Sequence, residues 1–221
     1  MRITKIENQK KHPDRKNIYV DGQFFLGVSA ETLMRSALRT DDEVGREQLD
    51  ILQRTEELLS AKNAALRYLS TRPRTEREVR DKLREKEYGE EEIARAIDDL
   101  KRSGLLNDEE FSRMYIRDAL ASRPAGKLLL KKKLLLLGVD KATVDHALHE
   151  AFQQVNQEDA AMKAATQFMK KTHSTRKNES ALKLRNRLTS FLVRRGYTWN
   201  LIETVLKGLL KKKESLEEEN E

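Results

Sequence analysis

The chain has 221 residues, 44 of them Lys or Arg and 37 Asp or Glu, for a net charge of +7; charged residues make up 37% and hydrophobic ones 38%. That composition rules against one thick core and suits a row of thin helical units, each burying one stripe against a neighbour. Cysteine is absent, which excludes disulfides, thiolate nucleophiles and cysteine-ligated zinc and predicts a reducing, cytoplasmic setting.

The first residues, Met1-Arg-Ile-Thr-Lys-Ile, lack the apolar core of a signal peptide, and no stretch approaches membrane-spanning length, so a soluble protein with no membrane partner is expected. Ile18-Tyr-Val20 and Phe24-Phe-Leu26 flank Asp21-Gly22, a pair suited to a type I′ hairpin turn because both residues tolerate positive φ. Arg2–Glu7 supplies a third strand through the polar loop Asn8–Lys16. Three such strands are marginal alone and are expected to pack on the helix that follows. Ser29 is placed to cap a short helix, Ala30–Leu38. Residues 1–44 therefore read as a small β-element with a short helix, serving as a folding cap.

Asp41 and Asp42 are expected to begin a long amphipathic helix through about Ser70, with Leu52, Leu59 and Leu66 recurring at seven. Arg72-Pro73 stops it, since proline lacks the amide the next turn requires. Thr75-Glu-Arg-Glu78 forms a capping box for a helix to about Lys86, and a further helix runs from Glu90 to Arg102. Asn107-Asp108 caps the next helix, which ends at Ser122-Arg123-Pro124, 51 residues after Thr71-Arg72-Pro73. Gly126 opens Lys127–Leu137; Gly138 makes a corner and Asp140–Phe152 follows. Asn156 caps a last set, Glu158–Lys170, Ser180–Arg195 and Trp199–Lys212, with a longer loop at His173–Asn178. The acidic tail Glu214–Glu221 is expected to be disordered.

These helices repeat. Val79, Leu83, Ile93, Ile97 and Leu100 fall at offsets 0, 4, 14, 18 and 21, and so do Leu130, Leu134, Val144, Leu148 and Ala151. Leu188, Leu192, Ile202, Leu206 and Leu209 do so again. An offset of 4 is one helical turn, and 14, 18 and 21 share a stripe on a second helix. The fold class is thus mainly α, a tandem array of three three-helix repeats behind a small N-terminal β-hairpin or β-sheet element. The blocks are 1–44, 45–106 (connecting helix and repeat one), 107–155, 156–213 and the tail 214–221.

Charge is unevenly spread. Between Lys163 and Arg195 there are ten basic residues and one acid, Glu179, whereas repeat one is rich in acids such as Glu90, Glu91, Glu92, Asp98 and Asp99. Charge runs are usually solvated faces, but those alternate sign, and this one does not. Attachment to phosphates asks for Lys and Arg and little else. The candidate DNA- or filament-binding residues are Arg123, Lys127, Lys131, Lys132, Lys133, Lys170, Lys171, Arg176, Lys177, Arg185, Arg187, Arg194 and Arg195. With few aromatics there (Phe168, Phe191, Tyr197), base stacking is secondary. Gly126-Lys127 is a helix start and not a phosphate-binding loop, because Ala121 and Leu128 stand where Gly and Ser or Thr are required. His146 and His149, at i and i+3, read as solvated helix surface, and Trp199 as repeat core.

Arg72-Pro-Arg-Thr-Glu-Arg-Glu-Val-Arg-Asp-Lys-Leu83 and Leu100-Lys-Arg-Ser-Gly-Leu-Leu-Asn-Asp-Glu-Glu-Phe111 resemble hallmark stretches of the RecX family. Arg123, Gly126, Leu130, Leu134, Gly138 and Val139 match the pattern of its second unit, and the resemblance spans roughly Ala61–Leu210. The N-terminal sheet resembles an extension carried by some members. Lys131-Lys132-Lys133 departs from the pattern, which has an acid before the leucine. The resemblance implies a non-catalytic regulator of the RecA recombinase that binds its filament on single-stranded DNA and suppresses strand exchange and ATP hydrolysis, the concave side of the array facing the filament. It implies no enzyme site, no cofactor and no metal. Partners would be the RecA filament and, through charge, single- and double-stranded DNA without sequence preference and with strong salt dependence; the chain itself would be a monomer. The alternative is a sequence-independent DNA-binding protein acting without RecA, with a nuclease-like enzyme a distant third.

Overall fold

The computed structural model describes residues 1–153, 155–173 and 180–218, with side chains described for 1–153, 155–171 and 180–209. Two compact units divide at Leu106/Asn107.

The first unit begins with an antiparallel sheet in the order β1 (Ile3–Asn8), β2 (Arg15–Val20), β3 (Gln23–Ser29). The β2–β3 hairpin turns at Asp21 (φ 48°) and Gly22 (φ 80°), both left-handed as the Asp-Gly pair requires. Its inner face, with Ile3, Ile18, Val20 and Val28, is closed by Leu49 and Leu52. Ser29 caps α1 (Ala30–Ser36) by accepting from the Thr32 amide, and Ala37 ends it at φ 54°. The long helix α2 (Arg46–Leu69) starts later than Asp41. Residues 41–44 instead run beside the start of β1: the Ile3 amide donates to the Asp42 carbonyl, the Asp41 amide to Ile3, and the Val44 amide to Met1. Asp41 sits at φ 77°, outside any helix.

The sheet is fastened to α2 by Glu56, only 4% exposed. Its carboxylate accepts from the Ser29 amide (2.9 Å) and the Thr32 hydroxyl (2.7 Å) and pairs with Arg15 (3.0 Å). A buried carboxylate is tolerable only when so fully partnered. The C-terminal half of α2 gives Ala61, Ala64 and Ala65 to a second core, with Val79 and Leu83 of α3 (Glu76–Glu85) and Ile93, Ile97 and Leu100 of α4 (Glu90–Arg102). Thr75 and Glu78 complete the capping box: the Glu78 amide donates to Thr75 Oγ1 (3.2 Å), and the Thr75 amide to Glu78 Oε2 (3.1 Å). Burial alone would raise the Glu78 carboxyl, but donation from Arg72, the Thr75 amide and Arg74 outweighs it and holds the carboxyl below its ordinary value.

The second unit contains α5 (Asp108–Ser122), α6 (Lys127–Leu136) and α7 (Lys141–Gln153), then α8 (Gln157–His173), α9 (Ala181–Arg194) and α10 (Trp199–Glu218). The cores repeat that of α2–α4: Leu130, Leu134, Val144 and Leu148 in one, Leu188, Leu192, Ile202 and Leu206 in the other, all buried. The corners match bond for bond. The amides of Glu87, Gly138 and Gly196 donate to the carbonyls of Arg84, Leu135 and Val193; those of Tyr88, Val139 and Tyr197 donate to Leu83, Leu134 and Leu192. All three corner residues have positive φ (63°, 89° and 80°), and Glu87 adopts it at the steric cost that glycine avoids.

The helical backbone of α10 continues through Glu218 and does not stop at Lys212. Residues 219–221, the end of the expected disordered tail, and 174–179, most of the expected long loop, lie outside the described residues. Trp199 is not repeat core: it is 59% exposed and donates from Nε1 to Glu203 Oε1 at 3.1 Å. It opens α10 where Glu90 and Lys141 open α4 and α7, one turn ahead of the first buried position (Ile202, Ile93 and Val144). Among the described residues no helix is long and apolar enough to cross a membrane.

Candidate functional site

The second unit contains a contact that its sequence does not announce. Gly126 stands where Thr75 caps α3, yet it offers no side chain to the first turn of α6. The corner of the last repeat fills that place. The Gly126 amide donates to the Arg195 carbonyl (2.8 Å), and the Leu128 amide donates to the Gly196 carbonyl (3.1 Å). Amides at the start of α6 thus meet carbonyls just past the end of α9, which gives some of the open groups of both helix ends a partner. A Cβ on Gly126 would lie 2.2 Å from the Gly196 carbonyl oxygen, and one on Gly196 2.2 Å from the Leu129 amide nitrogen. Both glycines are therefore required by close backbone approach. The N-cap amide of Gly126 and the Leu128 amide of α6 are thus already committed to protein carbonyls.

This seam brings four of the candidate cations together. Arg123 and Lys127 flank Pro124–Gly126, and Arg194 and Arg195 precede Gly196; Arg195 also donates to the Pro124 carbonyl at 3.4 Å. Behind Arg195 runs a ladder. Its guanidinium lies 5.3 Å from the Phe191 ring, Phe191 stacks on Phe168 at 4.4 Å, and Arg187 lies 5.4 Å from Phe168. The two rings thus serve as a floor that orients arginines.

The remaining candidates divide. Lys131 is committed to Asp145 across α6 and α7, and holds that carboxyl below its ordinary value. Lys132 and Lys133 are exposed on α6, as are Lys170 and Lys171 at the end of α8 and Arg185 on α9. No salt bridge engages Arg123, Lys127, Lys132, Lys133, Lys170, Lys171, Arg185 or Arg194 among the described residues. Arg176 and Lys177 lie outside the described residues. His146 is exposed, 3.7 Å from Glu109 and 3.6 Å from Glu150, while His149 meets Gln153 at 3.1 Å. Among the described residues no group of three or more His, Asp or Glu is placed to hold a metal ion.

The first unit, in which acids nearly equal bases, contrasts with this. Lys62 pairs with Asp99, Lys101 with Glu76, and Arg84 with Glu90. Its charges are largely spent on each other.

Three equivalent three-helix units, the second and third joined by a backbone seam flanked by cations that enter no salt bridge among the described residues, define a helical-repeat protein. Comparison with known proteins narrows this. Four family models match in order along the chain: the regulatory protein RecX N-terminal domain (residues 1–45) and the first, second and third RecX three-helix domains (61–100, 107–148 and 157–206). Regulatory protein RecX of Clostridium botulinum (strain Alaska E43 / Type E3) is 31% identical over 207 residues, covering 93% of this chain and 95% of that protein. Regulatory protein RecX of Clostridium perfringens (strain SM101 / Type A) is 34% identical over 209 residues, covering 94% and 96%. The crystal structure of RecX from Lactobacillus salivarius is 26% identical with a TM-score of 0.62, over 70% of this chain and 97% of that one. A second crystal structure, of a regulatory protein RecX, shares the fold at a TM-score of 0.72 over 92% of this chain and 98% of that one, with 24% identity. The chain belongs to the RecX family of regulatory proteins.

Proposed function

We propose that the protein is a non-catalytic regulator of the RecA recombinase that binds the RecA–single-stranded DNA filament and suppresses strand exchange and ATP hydrolysis. The observation that carries this reading is the match to RecX domains in all four segments of the chain, in order. It acts in the cytoplasm, as a monomer, through the blocks 1–44, 45–106, 107–155 and 156–213, with 214–221 as an acidic extension. The uncompensated cations of the second unit support a filament-facing role. Weak contacts distributed over successive repeats gain strength through effective concentration on a polymeric partner.

The test is to add increasing protein to RecA hydrolysing ATP on single-stranded DNA and follow phosphate release, which is expected to fall. Hydrolysis unchanged over a wide range of added protein would refute the proposal. Alone, the protein is expected neither to hydrolyse ATP nor to cleave DNA, with or without divalent metal.

The same cations favour a second reading, a sequence-independent DNA-binding protein that needs no recombinase. Arg187 rests on Phe168, so the exposed Arg185 and Arg194 are the cleaner pair to reverse. Arg185→Glu with Arg194→Glu should weaken naked-DNA binding equally for all sequences. It should also flatten the salt slope by roughly 0.7–0.9 for each phosphate that is no longer neutralised. If the double variant instead loses RecA binding in the absence of DNA while its naked-DNA affinity is unchanged, these residues face protein. Equal affinity for bare and RecA-coated DNA would favour the second reading.

A further inference from the structure

The outer face of the N-terminal sheet is not covered by α1 or α2. Ile3, Ile18 and Val20 face inward; a register irregularity between Ile3 and Lys5 breaks the alternation of β1, so Lys5 and Glu7 lie with their β2 partners Tyr19 and Asn17 on the other side. The irregularity between Ile18 and Tyr19 sets Phe24 opposite Tyr19, with ring centroids 5.9 Å apart at 78°. Phe24 is 59% exposed, an unusual position for a large ring on a small sheet. Lys5 Nζ lies 5.6 Å from the Tyr19 ring centre. Glu7, the carboxylate of this face, is already engaged: it pairs with Lys5 and accepts from the Tyr19 hydroxyl at 2.7 Å. Further along, Gln9 Nε2 donates to Asn17 Oδ1 at 2.8 Å, and Gln9 crosses above Gly27, where a Cβ would meet its amide at 2.5 Å. The face ends at the β1–β2 loop, where Lys10, Lys11 and His12 are exposed and, among the described residues, enter no salt bridge. The Glu7 carboxyl is held below its ordinary value by Lys5 first, then by the Tyr19 hydroxyl.

We infer that this face binds single-stranded nucleic acid, with a base stacked on Phe24 and the backbone running toward Lys10 and Lys11. The face joins the two things that single-strand recognition requires, a free ring and uncommitted cations, on a rigid sheet. β1 runs on from Lys5 to Asn8, roughly 10 Å at strand rise, and the loop carrying Lys10 and Lys11 follows it, room for a short run of nucleotides. A duplex keeps its bases stacked and presents no free face to Phe24. An acidic peptide would satisfy the lysines but leaves the exposed ring at the far end without a role. Because it involves residues of the first unit and DNA alone, this binding stands or falls separately from the regulation of RecA.

The test uses the full-length chain without RecA, with fluorescently labelled oligothymidine and a labelled duplex of the same length, read by anisotropy. Phe24→Ala should weaken oligothymidine binding roughly fivefold or more and leave duplex binding unchanged. Phe24→Leu, which keeps an apolar side chain on the strand, should do the same, and Phe24→Trp should restore binding. Lys10→Ala with Lys11→Ala should weaken binding to both and lower the salt slope. Oligothymidine binding by both ring-free variants at wild-type strength would overturn the inference. So would a Phe24 effect seen only on RecA binding in the absence of DNA, since that would make the ring a protein contact.

Discussion

Tyr88 and Tyr197 occupy one repeat position and differ in one bond, which makes them a matched pair for measuring it. Each follows its corner residue and donates its amide to the leucine five residues earlier. In the first repeat the Tyr88 hydroxyl meets Ser60 Oγ at 2.9 Å. In the last, Tyr197 is 3% exposed and its hydroxyl has no hydrogen-bond partner among the described residues. Burial pushes that hydroxyl's pKa up, against the opposing charge of Arg195. The alignment of Ala61, Ala64 and Ala65 with Ala161, Ala164 and Ala165 names the missing partner, because it sets Ala160 where Ser60 stands. A neutral hydrogen bond contributes about 1 kcal/mol net, and a buried hydroxyl left unpaired costs about 1–3 kcal/mol. Tyr88→Phe should therefore destabilise by about 1 kcal/mol. Tyr197→Phe should be neutral or stabilising, and Ala160→Ser should stabilise by about 1 kcal/mol, provided Tyr197 is present. Urea unfolding followed by circular dichroism measures all three, with the double variant Ala160→Ser/Tyr197→Phe closing the cycle. Tyr197→Phe destabilising as much as Tyr88→Phe would refute the reasoning.

Gly126→Ala has an ordinary φ of −81° to accept, so its cost is steric; breaking two seam hydrogen bonds and overpacking two backbones should lower stability by about 2–5 kcal/mol in urea titration. Leu83→Ala, Leu134→Ala and Leu192→Ala remove equivalent buried side chains and should each cost about 2–5 kcal/mol by the same method; one variant as stable as the parent would break the equivalence. The carboxyls of Glu76, Glu78, Asp99 and Asp145 have folded pKa values below their ordinary 4.5 or 3.8, so their stabilisation is complete above about pH 5 and is lost as pH falls through the folded values. Melting temperature should therefore drop between about pH 5 and pH 3, and less so in the Glu78→Gln variant.

The repeats were legible because their apolar period is carried by fifteen positions, and the hairpin because Asp21-Gly22 admits few other turns. What escaped depends on contacts between segments far apart in the chain. Glu56 reads as solvated helix surface until Arg15 and Thr32 close over it. Asp41-Asp42 looks like a helix start, but pairing with β1 overrides that local preference. Phe168 and Phe191 give no hint in sequence that they lie beneath Arg187 and Arg195. Two signals were present and unread. Glycine at 126, where repeat one has a capping threonine, marks a place another backbone needs, and the alignment of Trp199 with Glu90 and Lys141 marks a surface position.

One helix, α2, belongs to two cores at once, with Leu49 and Leu52 under the sheet and Ala61, Ala64 and Ala65 in the first repeat. Its phase therefore fixes the angular setting of the sheet against that repeat. Inserting one residue between Leu52 and Ala61 would turn the two faces about 100° apart, whereas inserting four would restore their direction to within about 40° at the cost of a longer separation. Length changes in this span are thus filtered by helical periodicity, unlike those in a loop, where a residue more or less is absorbed. The stretch from Arg46 to Ser60, which lies between the matches to the N-terminal and first three-helix domains, sets how far and at what rotation the sheet is held from the first repeat.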